Sequence, residues 1–533
     1  MNSPLDQRHI SRKKPINLSH LWIHISNFSL QSQNSSFMKY LRILTLYALI
    51  FAPFGCDRIS SEDTVDFIIL QMNDVYEIAP LEGGKVGGMA RVATLRKSLL
   101  QETPNVITTL SGDFLSPSLI GTLKFENEKI AGRQMVDVMN AVGVDYVVPG
   151  NHEFDIKEGE LLKRISESRF QWTSTNVFHK VDDEVASWQQ NGVSFPDHII
   201  HSIDGVDIAF FGSTVPFNKK NYVSYSDKYA SVKSTYERIK DEAEIFIGLT
   251  HLGEEMDDSL ATYFVPQLDL ILGGHDHTNM IHKYGSTIMT KADANAKTVY
   301  VHRINFNKSS EKTTINSELV ILNENVSEDA QVKAIVDTWV NISDESMSAM
   351  GYKPEAMVLI TKDTLDGRES RIRNRPTNYP MMTAASFLYV APQADLAILN
   401  SGSIRLDDQL TGTVTEYDIL RSFPFGGGIA LVDLKGGIIQ KILNIGTVQN
   451  VGAGGYLQLA NAEKKSDGWY IKGSKLSLDS TYKLALPDFV MGGGEANLGF
   501  LVDYKNQAAN PTDFNGIRND VRDIIIAYFK NMP

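Results

Sequence analysis

The chain has 533 residues, 42% of them apolar and 22% charged, which is too long for one hydrophobic core and too apolar for a disordered chain, so two domains are expected. A net charge of −13 excludes a nucleic-acid duplex held by charge alone, but it leaves room for a small anion at a locally positive site. The single cysteine, Cys56, excludes an intrachain disulfide.

In chain order, residues 1–37 are polar, carry Arg8, Arg12, Lys13 and Lys14, and show no clear period; they read as an upstream or disordered extension, with translation starting at Met38. Residues 38–56 read as an export signal. Lys39 and Arg42 give a basic start, 43–54 form an apolar run of about a dozen residues, too short to span a bilayer, and Gly55-Cys56 resembles a lipoprotein cleavage site. The expectation is an exported protein of a bacterium, periplasmic or membrane-anchored through lipid on Cys56. A plain secretory signal with an incidental cysteine is the alternative. Residues 57–65 are polar and read as a tether.

From 66 to 322 strand-like runs alternate with helical stretches at 87–101, 132–142, 158–168 and 231–244, the pattern of a layered α/β domain. Five segments in this stretch place Asp, Asn or His just past an apolar run: Asp74 after 68–72, Asp113 after 106–110, Asn151-His152 after 144–148, His251 after 245–249, and His275-Asp276-His277 after 268–272. Layered α/β sheets carry their sites at the carboxyl ends of strands. These residue types are what two divalent cations need when they act on a phosphate. Asp113 can bridge two cations, one oxygen to each, and Gly112 lets backbone and ion approach closely. One isolated Gly-Asp pair would read more simply as a turn or a helix cap.

Gly150-Asn151-His152-Glu153-Phe154-Asp155 says more. Asn151 offers a neutral oxygen. Asp155 can bond the far ring nitrogen of His152 and fix its tautomer, which leaves His152 able to protonate a leaving oxygen. His275 and His277, two residues apart on what reads as an extended strand end, would face the same way.

Residues 323–350 are charged, with Val332, Ile335, Val336, Trp339 and Val340 at helical spacing, and read as a linker helix. Residues 351–533 read as a second α/β domain, with strands near 396–399, 429–434 and 482–486 and Gly-rich turns between them.

Together these motifs resemble the calcineurin-like metallophosphoesterase superfamily, and the Gly-Asn-His-Glu-Phe-Asp form resembles its 5'-nucleotidase family, the bacterial periplasmic 5'-nucleotidases and UDP-sugar hydrolases. The resemblance implies a four-layer sandwich domain plus a C-terminal α/β substrate-binding domain. It also implies two divalent ions drawn from Zn, Mn, Mg or Fe. Asp74, Asp113 and His277 would hold the first ion. Asp113, Asn151, His251 and His275 would hold the second, and His152 with Asp155 would form the catalytic pair. The family's first motif usually carries a His where this chain has Tyr76. Either Tyr76 binds as phenolate or the first ion has one protein ligand fewer; the second is expected, because a phenol keeps its proton near neutral pH.

The C-terminal part is similar to the family's substrate domain. The segment 365–373 resembles its Arg-bearing stretch, so Arg371 or Arg373, with Arg405 of the Asn400-Ser401-Gly402-Ser403-Ile404-Arg405 loop, would clamp phosphate oxygens. Phe425 and Phe489 would sandwich a base, and Glu495 would face the ribose hydroxyls. Gly427 departs from the family's Asn, and Ala384-Ala385 from its Asp-Ala. The substrate implied is a nucleoside 5'-phosphate. Phosphodiester or pyrophosphate cleavage in cyclic nucleotides or nucleotide-sugars is one alternative. A non-catalytic nucleotide-binding surface lipoprotein is the other.

Overall fold

The computed structural model describes residues 63–217 and 220–532. The expected extension, signal segment and Cys56 anchor lie outside the described residues. Among those described, no helix is long and apolar enough to cross a membrane. Thr64 and Val65, read above as the end of a tether, already pair with Asn307 and Phe306 in a strand.

The strands that build the two main sheets of the N-terminal part are, in chain order, β1 (Thr64–Met72), β2 (Val106–Ser111), β3 (Tyr146–Val148), β4 (Gln171–Trp172), β5 (Ile199–Ile203), β6 (Val206–Thr214), β7 (Ile245–His251), β8 (Leu270–Leu272), β9 (Met280–Tyr284), β10 (Thr287–Lys291), β11 (Thr298–Asn307) and β12 (Lys312–Ile321). They form two six-stranded sheets, ordered β12-β11-β1-β2-β3-β4 and β5-β6-β7-β8-β10-β9.

The period-2 alternation of buried strands assembles the layers. In β1, Val65, Phe67 and Ile69 enter the core between the sheets, whereas Ile68, Leu70 and Met72 enter a core under helices. In β6, Ile208 and Phe210 face the first sheet, while Ala209 and Phe211 face the helix Lys228–Ile239 on the other side. The result is helix, sheet, sheet, helix: the four-layer sandwich expected. Strands β1, β2 and β3 run parallel, as do β6, β7 and β8, so their carboxyl ends gather along one edge.

The helix Ala330–Ala349 starts later than the charged stretch suggested, because the Asp329 side chain caps it by accepting from the Gln331 and Val332 amides. Its Val332, Val336 and Trp339 pack in the N-terminal core and its Met347 in the C-terminal one. Beyond it lies a four-stranded sheet of β13 (Leu396–Asn400), β14 (Ile429–Lys435), β15 (Leu457–Ala460) and β16 (Thr481–Pro487), ordered β14-β16-β13-β15. Alternation again makes two cores: Leu396 and Ile398 on one face, Ala397 and Leu399 on the other.

Candidate active site

All five strand-end segments converge. Asp74 follows β1, Asp113 follows β2, Asn151 follows β3, His251 ends β7 and His275 follows β8. Asp74, Asp113, His275 and His277 have φ of 53°, 58°, 82° and 58°. That left-handed region is uncommon for non-glycine residues and gathers at functional sites. It also corrects the extended strand end expected for the histidine pair. The backbone after β8 is bent, and His275 and His277 join different sets of ligand-type atoms. Gly112 (φ 76°) is required by close approach, since a Cβ there would sit 2.5 Å from His251 Nδ1.

Two sets of ligand-type atoms result, Asp113–His251–His275 and Asp74–Asp113–His277, and within each the atoms lie within 4.8 Å of one another. Asp113 belongs to both. His251 Nδ1 lies 2.7 Å from the Ser111 carbonyl, and His277 Nδ1 lies 2.8 Å from the Asp407 carbonyl. A carbonyl only accepts, so Nδ1 carries the proton in both rings and Nε2 turns inward. There His251 Nε2 sits 3.1 Å from Asp113 Oδ2, and His277 Nε2 sits 3.1 Å from Asp74 Oδ1. His251 Nε2 and Asp74 Oδ1 are buried without a hydrogen bond of good geometry. Nitrogen lone pairs held against carboxylate oxygens repel unless a proton or a cation stands between them, so the donor set fits divalent ions.

Charge follows from the same crowding. Burial alone would pull His251 down, but Asp113 and Asp74 raise it to about 9. Burial and the neighbouring His251 push His275 down to about 3, leaving it neutral. Burial, then Asp113 and Asp74, hold the Tyr76 hydroxyl well above the usual phenol range. Tyr76 donates to Asp113 Oδ2 at 3.1 Å and lies 3.2 Å from His277 Nε2, inside the Asp74–Asp113–His277 set.

His152 stands beside this floor. Its amide donates to Asp113 Oδ1 at 2.7 Å, and its Nδ1 lies 2.7 Å from Asp155 Oδ2. Burial opposes its charge, yet Asp113, Asp155 and Glu369 raise it to about 10, so Nε2 bears a proton at neutral pH. Beside the floor opens a cavity of about 520 Å³, and Arg373, Arg405, Glu369 and Asp407 of the C-terminal part supply a wall of it. Arg373 and Arg405 each bury an Nε that has no hydrogen-bond partner, a donor left open to an acceptor. Glu369 pairs with Arg373 and approaches His152 Nε2 to 3.9 Å.

The remaining expected contacts lie apart from this cavity. Arg371 is exposed and does not line it. Phe425, 64% exposed, lines an adjoining cavity of about 200 Å³ that shares Asp155 and Arg405 with the first. Phe489 is 54% exposed and lines neither. Glu495 accepts from Asn400 Nδ2 at 2.7 Å and so braces the loop that carries Arg405.

Residues 67–279 match the calcineurin-like phosphoesterase model, and residues 358–500 match the 5'-nucleotidase C-terminal domain. The chain belongs to the 5'-nucleotidase family. Membership makes it a metal-dependent phosphoester hydrolase. It is 24% identical over 553 aligned positions to the 5'-nucleotidase of Vibrio cholerae, covering 88% of this chain and 96% of that protein. It is 26% identical to the trifunctional nucleotide phosphoesterase protein of Bacillus subtilis over 81% of this chain, but spans only 32% of that longer protein. The crystal structure of a 5'-nucleotidase precursor from Thermus thermophilus superposes with a TM-score of 0.65 at 21% identity, covering 87% of this chain and 96% of that one, which supports the two-domain fold.

Residues the motifs did not single out brace the site of this 5'-nucleotidase-family hydrolase. Glu153, fully buried, accepts the amides of Asp113 (2.8 Å), Phe114 (2.7 Å), Leu115 (3.0 Å) and Gly150 (2.5 Å), which locks the turn presenting Asp113. Lys291, also fully buried at the end of β10, donates to the Leu252 carbonyl at 2.6 Å and the Gly274 carbonyl at 2.9 Å, and pairs with Asp257 and Asp276 at 2.7 and 2.6 Å. It thereby ties the loop after His251 to the loop carrying His275. A lysine inside a strand of buried residues is itself a sequence signal, since that side chain is almost never fully buried unless paired.

Proposed function

We propose that this protein is an exported phosphohydrolase that uses two divalent cations to release phosphate from nucleoside 5'-phosphates. The observation that carries the reading is Asp113, shared by two ligand sets on the floor of a cavity that Arg373 and Arg405 also line. Asp74, Asp113 and His277 would hold one cation, and Asp113, Asn151, His251 and His275 the other. Bound there, divalent ions supply positive charge for the phosphoryl oxygens and make water acidic enough to act as nucleophile near neutral pH. Arg373 and Arg405 orient the phosphate by forked, charge-assisted hydrogen bonds. His152, held by Asp155 through Nδ1, donates from Nε2 to the leaving oxygen. The signal-like segment at 38–56 supports export.

A second reading rests on Glu369 and Asp407. Two carboxylates on the cavity wall disfavour a phosphomonoester dianion more than a singly charged diester, which favours cyclic nucleotides or nucleotide-sugars. Product analysis with Mn, Zn, Mg or Ca separates the two readings: AMP gives adenosine and phosphate, UDP-glucose gives UMP and glucose 1-phosphate, and a 2',3'-cyclic nucleotide gives a nucleoside monophosphate. His152→Ala is expected to lower kcat on the preferred substrate by about 10²- to 10⁴-fold with an unchanged circular dichroism spectrum. Undiminished turnover by that variant would sink the mechanism.

A further inference from the structure

The two inward-facing imidazoles are oriented from different parts of the molecule. His251 takes its Nδ1 acceptor, the Ser111 carbonyl, from the end of β2 in the same half. His277 takes its acceptor from a residue 130 positions further on, in the C-terminal half. There the Asp407 carbonyl oxygen stands 2.8 Å from Nδ1 and the Asp407 carboxylate Oδ2 stands 3.2 Å from it. Both atoms only accept, so together they fix the proton on Nδ1 and aim the Nε2 lone pair at the Asp74–Asp113–His277 set.

Asp407 is itself held for this placement. Its φ is 40°, a left-handed backbone it shares with Asp74, Asp113, His275 and His277. The Glu369 amide donates to Asp407 Oδ1 at 2.6 Å. The adjoining Asp408 accepts from Lys297 Nζ of the catalytic half, at 2.6 Å to each carboxylate oxygen. The 407–408 dipeptide is thus pinned to the catalytic half from both sides of its peptide bond.

We propose that Asp407 is a positioning residue for the first cation site. The C-terminal half completes that site by fixing the tautomer of His277, while the second site is complete within the catalytic half. This rests on the two-cation reading above. A reciprocal follows from linkage: if seating of residues 406–408 tightens the first cation, that cation must tighten the seating of 406–408 by the same factor.

The test is calorimetric titration of Mn²⁺ into the whole metal-free protein. Wild type is expected to give two binding events. Asp407→Ala should weaken one of them about 10- to 100-fold and leave the other unchanged. Asp407→Asn, which tolerates the left-handed backbone and keeps an acceptor oxygen, should recover most of the loss. In a His277→Ala background the Asp407→Ala change should add nothing. Amide hydrogen exchange at 406–408 should slow on adding Mn²⁺ to wild type and not to His277→Ala. Two events of wild-type affinity in Asp407→Ala, with exchange at 406–408 indifferent to Mn²⁺, would overturn the proposal. If Asp407→Ala loses both events through misfolding, the Asp407→Asn titration and the wild-type exchange experiment decide instead. Absence of Mn²⁺ binding by wild type would instead remove the two-cation reading itself.

Discussion

The floor and the C-terminal wall of the cavity are built by opposite means. On the floor, each ligand-type side chain sits at the carboxyl end of a buried parallel strand or a few residues past it, so hydrogen-bonded strand register sets where each one starts. On the wall, Arg373, Arg405, Glu369 and Asp407 come from short turns around 369–373 and 400–408, whose position depends on how the C-terminal half seats on the catalytic one. A sheet edge gives a site that is all or nothing. A wall of turns gives one whose contacts can be removed singly, each with a graded effect. Variants in the two regions should therefore differ in kind as well as in size.

The largest effect is expected on the floor. Asp113→Asn removes the one carboxylate common to both ligand sets, and kcat should fall by about three orders of magnitude, roughly 4 kcal/mol of transition-state stabilisation. Metal analysis of the purified variant should show both ions depleted together. Loss of a single ion, with turnover reduced only several-fold, would break the contrast, because the floor would then consist of separable parts.

How much of this was legible in the sequence divides along the same line. Asp74, Asp113, Asn151, His251 and His275 could be read off because a strand is a short apolar run and a site follows its carboxyl end. The bend that carries His275 and His277 into left-handed backbone was not legible: nothing in Gly273-Gly274-His275-Asp276-His277 distinguishes an extended end from a turned one, and the structure's φ values decide it. Nor was Asp407, whose partner lies 130 residues away and whose neighbourhood in sequence has no period. Arg371 and Arg373 could not be separated by motif either. Their side chains diverge because one faces solvent and the other the cavity on a single short turn.

That last divergence gives an intermediate effect on the wall. Arg405→Ala should raise KM about 10- to 100-fold, the worth of a charge-assisted pair of hydrogen bonds to phosphate, with a smaller change in kcat. Arg371→Ala should leave KM within about twofold of wild type, as a solvated surface charge does. Equal losses in the two variants would mean that the wall reseats when substrate binds.

Among residues that line a cavity, the smallest effect should come from the rings. Phe425 lines the cavity adjoining the Arg405 guanidinium, which lies 5.7 Å from its ring centroid, and more than half of its surface is exposed. Stacking on a half-exposed ring falls at the low end of base–aromatic energies, about 1 kcal/mol, so Phe425→Ala should raise KM for AMP about fivefold. Ribose 5-phosphate has no base and supplies the control: its KM should not move in the same variant. Phe489 lines neither cavity, so Phe489→Ala should affect AMP less than Phe425→Ala does, if the wall acts in the seating described. Were Phe489→Ala the more damaging, the base would have to reach beyond the 200 Å³ cavity, and the C-terminal half would have to sit differently on the catalytic half with substrate than without it. A loss for AMP that also appears for ribose 5-phosphate would assign Phe425 to holding Arg405 in place and not to stacking.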